Sequence, residues 1–540
     1  MTANPVSRRQ AIGYGAAAAG ALAGSLDAPP RAQAARALGE WLSRRRPVEL
    51  PQPRVLRSAH HELNLRLTTR WGTVDMGAPR LVRTYTYDGV VPSYTWDIDP
   101  GDTIRVHLRN RLPELHMRHM RMDRPHEWTT TNLHTHGLHV SPSGNADNIF
   151  LVIPPGADHH LKIPVPADHT GGMFWYHPHH HGGVTQSLRA GMAGALIVRG
   201  DIDRVPEVRA ATEKIMILQA IELSHDYRLP DPDPDPPPDG SFFPKDRVLY
   251  TVNGVLHPTV HMRPGEVQRW RILNAAQGNF MSLHLRHHEF HVLAWDGLTL
   301  HKPEPLEAVM LSAGNRAEVL VRAGRPGRYH LVLTPGSSGS PDIPGMPEAG
   351  GGRGSASASP PMGMPGFPLL QGELDRRTIL TVEVAGDERK MSLPSGLPAY
   401  DPPILPIARH REFAFTLQEP GGVFMNFGIN GVPYDPARAP YRPVLGTAEE
   451  WTLHNDFDAA LGHHAHVFHI HTNPFKITRR NGQVLDTPLW RDTYVLTKDA
   501  GDTITFQSNF VNYTGRMVEH CHIVSHEDLG MMSEIEIVPR

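Results

Sequence analysis

The chain has 540 residues, a net charge of −3 and 39% hydrophobic content, which supplies several cores and gives no electrostatic footprint for nucleic acid. A single cysteine excludes any intrachain disulfide, so stability rests on the cores and on any bound metal. Thirty-five histidines put metal chemistry first among the questions, and the length suggests three domains of ordinary size.

Taken in chain order, Ser7-Arg8-Arg9-Gln10-Ala11-Ile12 has the form of a twin-arginine signal. The apolar run 11–26 and a small-residue cleavage site, Ala32-Gln33-Ala34, follow it. Residues 1–34 are expected to be a signal peptide that directs the folded chain to the periplasm or the extracellular cell envelope. The run is short and rich in alanine and glycine, so no permanent membrane span is expected in the mature chain.

Beyond it the apolar segments are short. Thr103-Ile104-Arg105-Val106-His107-Leu108, Ala195-Leu196-Ile197-Val198 and Ile379-Leu380-Thr381-Val382-Glu383-Val384 alternate or run briefly between turn residues, as in all-β sandwiches. A motif recurs at domain-length intervals. Gly89 with Pro92, Gly101 and Asn110 is echoed by Gly254 with Pro258, Gly265 and Asn274. Gly431 with Pro433, Gly446 and Asn455 is the third copy. Three β-domains follow, over 50–203, 204–386 and 400–540.

The domain ends differ. Domain one ends on Trp175-Tyr176-His177-Pro178-His179, and domain three on His520-Cys521-His522. Domain two offers Tyr329-His330-Leu331, without paired histidines. Domains one and three are therefore expected to carry metal and domain two to be a spacer. Low-complexity stretches interrupt domain two: 229–238 reads as an extended proline-rich spacer, and 336–372 as a mobile loop between two final strands. Met346, Met362 and Met364 in that loop read as chance enrichment. His284, His287, His288 and His291 read as a solvated strand face. The segment 115–122, with His116, Met117, His119, Met120 and Met122, reads as a basic surface loop; a Cu(I)-delivery site is the alternative.

Four histidine clusters carry the chemistry: His134 with His136, His177 with His179, His466 with His469 and His471, and His520 with His522 and His526. Side chains alternate along a strand, so His520 and His522 point one way and Cys521 the other. One metal can then bind Cys521 while its neighbours bind others behind it. A thiolate, imidazoles and the thioether of Met531 make the ligand set of a blue-copper site. Taken alone the stretch also admits a structural cysteine or a zinc site, although zinc rarely takes this set. Paired clusters in the first and third repeats favour a multinuclear copper centre.

With these motifs in order, the chain resembles a three-domain multicopper oxidase of the laccase and cuprous-oxidase superfamily over essentially all of its mature length. The resemblance implies an all-β fold of three consecutive cupredoxin-like Greek-key β-sandwich domains and four copper ions. It implies a type 1 copper held by His466, Cys521 and His526 with Met531 as weak axial ligand. A type 2 copper would use His134 and His469. Two type 3 coppers would use His136, His177 and His522, and His179, His471 and His520. Met531 is preferred to Met532 by its family offset from Cys521. His526 is the implied electron entry point, and Glu527 the implied proton relay, with Asp147 as second candidate at an offset two residues longer than the family form. His139, His180, His181, His463 and His464 miss the offsets and receive no ligand role.

The function implied is one-electron oxidation of a small donor, a phenol or aromatic amine as in laccases, coupled to four-electron reduction of O2 to water. A Cu(I) oxidase for copper tolerance is the alternative, and a non-enzymatic copper-binding or scaffold protein the alternative of another class. The partners implied are O2 and a small reductant, with no nucleic acid; the sequence does not fix the oligomeric state.

Overall fold

The computed structural model describes residues 46–115, 122–232, 245–335, 377–418, 426–457, 465–497 and 501–540, together with Trp41 and Arg44. The expected signal peptide, the loop 336–372, most of the segments 115–122 and 229–238, and His463 and His464 lie outside the described residues.

Each third of the chain folds as two packed sheets. In domain one a four-stranded sheet runs Val82–Tyr87, Glu62–Val74, Thr103–Asn110, Asp158–Pro164. It faces a five-stranded sheet, Val55–Arg57, Thr95–Ile98, Gly194–Val198, Gly172–His177, His134–His136. The strand Thr103–Asn110 alternates half-buried and buried residues along its length, which is why its period-two pattern reads as a sheet with one face on a core. Domain two pairs a six-stranded with a five-stranded sheet, and domain three a six-stranded with a four-stranded sheet. In the last, Thr493–Leu496, His466–Ile470, Gly515–Cys521 and Met532–Ile537 lie side by side. Each sandwich has its own apolar core. The fold is all-β in three domains, as the repeat anticipates, and cupredoxin-like, as the family resemblance implies.

The repeated motif is one turn used three times. Asp88-Gly89, Asn253-Gly254 and Asn430-Gly431 all have positive φ at both positions. Such a pair matches the twist of the flanking strands, and aspartate, asparagine and glycine tolerate it best. Helices among the described residues are short: Val184–Ala190, Pro206–Ala210 and Val524–Asp528. None is long and apolar enough to cross a membrane.

The domains meet through buried side chains. Met173, Trp175 and Leu188 of domain one, Ile215, Ile217 and Leu273 of domain two and Val524 of domain three form one apolar cluster. The strand Val267–Asn274 is buried at every position although it carries Arg269 and Arg271. Both guanidiniums pair with Glu318 and Asp203, which satisfies charges that would otherwise be costly inside.

Candidate metal centre

Two sheets bring the histidines together. His134 pairs with His177 and His136 with Trp175 across domain one; His469 pairs with His520 and Phe468 with Cys521 across domain three. Directly paired residues share a face. Cys521 therefore turns into the core of domain three with Phe468, while His469 and His520 turn toward domain one.

The cysteine side is compact and dry. Cys521 Sγ lies 3.6 Å from His466 Nδ1 and 3.7 Å from His526 Nδ1, and those two nitrogens are 3.2 Å apart. Burial pushes the thiol up to about 12. A bound cation offsets the cost of the thiolate, so this set suits a soft metal. Met531 is fully buried in the same core, and its carbonyl accepts the Cys521 N–H (3.0 Å). Met532 turns the other way, packing on Ile149, Tyr434 and Val518. His526, the implied electron entry point, is only 5% exposed, and its ring stacks on Phe427 (4.2 Å).

Eight histidines form the other side. Nε2 of His179 lies 3.1 Å from Nε2 of His520 and 3.2 Å from Nε2 of His471, and one ligand nitrogen from each of the three rings lies within 4.8 Å of the others. The rings of His134 and His471 stack at 3.9 Å and those of His136 and His469 at 3.8 Å. Among the described residues, His134 Nε2, His136 Nδ1, His177 Nε2, His469 Nε2 and both nitrogens of His522 are buried without a hydrogen bond. Buried polar atoms without a partner are rare and call for an occupant. Their companions are committed. His134 Nδ1 donates to Asp147 (3.0 Å), His177 Nδ1 to the Pro178 carbonyl (2.9 Å) and His469 Nδ1 to the Asp492 carbonyl (2.7 Å). That is how metal-ligating histidines are usually oriented, so the residues fit a metal cluster. Burial, and then mutual repulsion, hold His134, His136, His469, His471 and His522 well below the usual imidazole range, ready as neutral ligands.

Three carboxyls border the cluster; one of them, Asp492, has its Oδ1 3.5 Å from His136 Nε2. Glu527 Oε2 lies 3.1 Å from His520 Nδ1 and Oε1 lies 3.5 Å from His179 Nδ1; burial raises its pKa to about 7. It sits in the helix Val524–Asp528, not on a strand, so strand alternation is not what turns it to the cluster. Asp147, also raised to about 7 by burial, accepts from His134 and from the Thr135 amide (3.1 Å).

The histidines without an assigned role go elsewhere. His180 pairs with Glu127 (2.7 Å), His181 Nε2 donates to the Met122 carbonyl (2.8 Å), and His139 Nδ1 donates to the Thr472 carbonyl (2.9 Å). In the 284–291 group, His288 is a correction. It is buried against Tyr329, donates to the Arg286 carbonyl and accepts the Gly324 N–H, because the connection between the strands Arg316–Arg322 and Gly327–Pro335 packs against it.

Domain two is also more than a spacer. Its turn at Gly314 reaches the cluster so closely that a Cβ there would lie 3.0 Å from the His522 ring. Sequence reading missed Gly314, Arg316, Asp492 and Thr493, which carry no motif and meet the histidines only through tertiary contact.

The chain matches models of the multicopper oxidase family over residues 68–202, 217–348 and 402–540. It belongs to the multicopper oxidases. A multicopper oxidase from Staphylococcus haemolyticus is 24% identical over 88% of this chain and 88% of its own. A laccase from Haloferax volcanii is 24% identical over 83% of this chain and 76% of its own. Among solved structures, a multicopper oxidase from Campylobacter jejuni described as a metallo-oxidase superposes with a TM-score of 0.69. It is 22% identical and covers 91% of this chain and 96% of its own. Like its family, this multicopper oxidase is an oxidoreductase that uses O2 and a reducing substrate, with copper as cofactor.

Proposed function

We propose that the chain oxidises small one-electron donors of the phenol or aromatic-amine class and passes the electrons to O2, which leaves as water. Four coppers are proposed: one at His466, Cys521, His526 and Met531, one at His134 and His469, one at His136, His177 and His522, and one at His179, His471 and His520. When bound, they supply single-electron uptake at the cysteine site and multi-electron reduction of O2 at the histidine cluster. The observation that carries this reading is the placement of Cys521 beside His466 and His526 while its covalent neighbours His520 and His522 face the other six histidines. That backbone gives a short path between two sites held apart by one sheet.

The residues supply the rest. Phe427 stacks on His526 and fixes the ring through which a donor would be sensed. Glu527, poised near neutrality within reach of His179 and His520, holds a proton beside the cluster and releases it where charge develops. Asp147 is the second such group, against His134. A twin-arginine leader fits a chain that takes up metal before export.

An organic donor is favoured because none of the described α-helices Val184–Ala190, Pro206–Ala210 and Val524–Asp528 carries a methionine thioether for Cu(I). The second reading, a Cu(I) oxidase, draws on the Campylobacter jejuni metallo-oxidase likeness and on the His/Met segment 115–122. Oxygen uptake with a phenol and aromatic-amine panel, run beside Cu(I) under matched conditions, decides between them. Turnover on Cu(I) alone would overturn the organic-donor reading.

A further inference from the structure

Arg316 belongs to the strand Arg316–Arg322 of domain two and is fully buried. Its guanidinium has five N–H groups, and all five have acceptors. Nε donates to the Met173 carbonyl of domain one (3.2 Å). Nη1 donates to the Gly314 carbonyl and to Asp492 Oδ1 (2.9 Å each). Nη2 donates to the Asp296 carbonyl (2.9 Å) and to Asp492 Oδ2. One side chain thus ties three domains together, and its planar fork grips Asp492 with both ends.

Asp492 passes that constraint on. Its Oδ1 accepts the Thr493 hydroxyl (2.9 Å), and that hydroxyl oxygen lies 3.1 Å from His136 Nε2. Its backbone carbonyl accepts from His469 Nδ1. With those two nitrogens engaged, His136 Nδ1 and His469 Nε2 are the atoms left toward the cluster. Another arginine of comparable burial, Arg271, pairs with Asp203, Glu213 and Glu318 instead of with a residue beside the cluster.

We propose that Arg316 is a positioning residue for the cluster: by locking Asp492-Thr493 it sets the tautomer and ring orientation of His136 and His469. The proposal rests on the reading of those two histidines as copper ligands, and it gives the central domain a part in the metal site that its lack of paired histidines conceals.

The test compares copper-loaded wild type with Arg316→Met, Arg316→Lys and, as control, Arg271→Met. The readouts are copper per chain, the blue absorption, the paramagnetic signal of the lone cluster copper during chelator titration, and melting of the copper-free chain. The expected result is a blue band unchanged in Arg316→Met, with cluster copper lost at about 10–100-fold lower chelator concentration. Arg316→Lys is expected to recover melting but not the wild-type spectrum, since an ammonium lacks the fork. Arg271→Met is expected to lower melting with normal cluster signals. Equal effects of the two methionine variants on the cluster signals, or a wild-type paramagnetic signal and chelator titration in Arg316→Met, would overturn the proposal. Should Arg316→Met fail to fold, Asp492→Asn and Arg316→Lys carry the test, and unperturbed cluster signals in both overturn it. A wild type that binds no cluster copper would sink the copper reading itself, which keeps the two failures distinct.

Discussion

Replacing Cys521 by serine removes the thiolate and little else. The sulfur is fully buried, flanked by His466 and His526 at 3.6 and 3.7 Å, and it accepts a weak bond from the Val467 amide at 3.4 Å. A serine oxygen keeps that amide as a partner, so no donor is orphaned. The remaining cost is a buried hydroxyl in place of a polarisable sulfur, about 1–3 kcal/mol. At about 2–4 °C per kcal/mol for a domain of this size, melting should fall by several degrees while the fold survives. The chemical effect is larger: a hydroxyl is a harder, weaker donor, and the charge-transfer absorption of the thiolate disappears. The expected variant is colourless, carries one copper fewer and takes up O2 at background rate with every donor. Visible absorption, metal analysis and oxygen uptake check this. A variant that stays blue would refute the assignment, and loss of the cluster coppers as well would refute the separation of the two sites by the sheet.

Three further outcomes are expected. Glu527→Gln should leave reduction of the blue copper intact and slow its reoxidation by O2 at least about tenfold, in line with general-acid contributions of about 10²–10⁴; unchanged reoxidation in stopped flow would leave Asp147 as the relay. Gly314→Ala meets both a φ of +83° and the His522 ring, so copper loading and melting should both fall, and a fully loaded variant of unchanged melting would contradict the close approach. His169 is buried, accepts the His139 N–H and donates to the Thr170 carbonyl, and burial lowers its pKa to about 4. Its folded pKa lies below the unfolded value, so the stability it contributes is fully present above about 6.5 and is lost as pH falls toward 4. His169→Gln should cut the loss between pH 7 and 5 by about 2 kcal/mol in chemical unfolding, and an identical pH slope would refute this.

What was legible in the sequence is what repeats locally. The ligands come in His-x-His pairs because a strand shows alternate residues to one face, and the Asp/Asn-Gly turns recur because positive φ restricts what fits. What was not legible is what distant segments do to one another. Arg269, Arg271 and Arg316 look like the polar face of exposed strands, yet all are buried against acids from elsewhere in the chain. Glu527 faces the cluster, but by way of a single helical turn after Ile523 that alternation could not anticipate. Domain two lacks paired histidines and so read as a spacer; its turn at Gly314 matters through backbone proximity, which leaves no compositional trace.

The division of the donors between two domains has a consequence for stability. Domain one alone brings His134, His136 and His177 together, but groups such as His179, His471 and His520, or His134, His469 and His471, need both domain one and domain three. The halves are held in register partly by Asp528, whose carboxylate accepts the amides of Gly182 (2.7 Å), Val184 (3.3 Å) and Thr185 (2.8 Å) across the seam. Metal that binds only the docked arrangement stabilises docking, by about 2.7 kcal/mol when free metal exceeds its dissociation constant a hundredfold. Removing copper should therefore speed amide exchange at Gly182, Val184 and Thr185 well before it affects the strand Thr103–Asn110, whose bonds lie inside one sandwich. Hydrogen-exchange mass spectrometry of the loaded and chelated chain reads both segments at once. Equal protection of the seam in the two states would mean that the interface is set by its apolar cluster alone, with the metals as passengers.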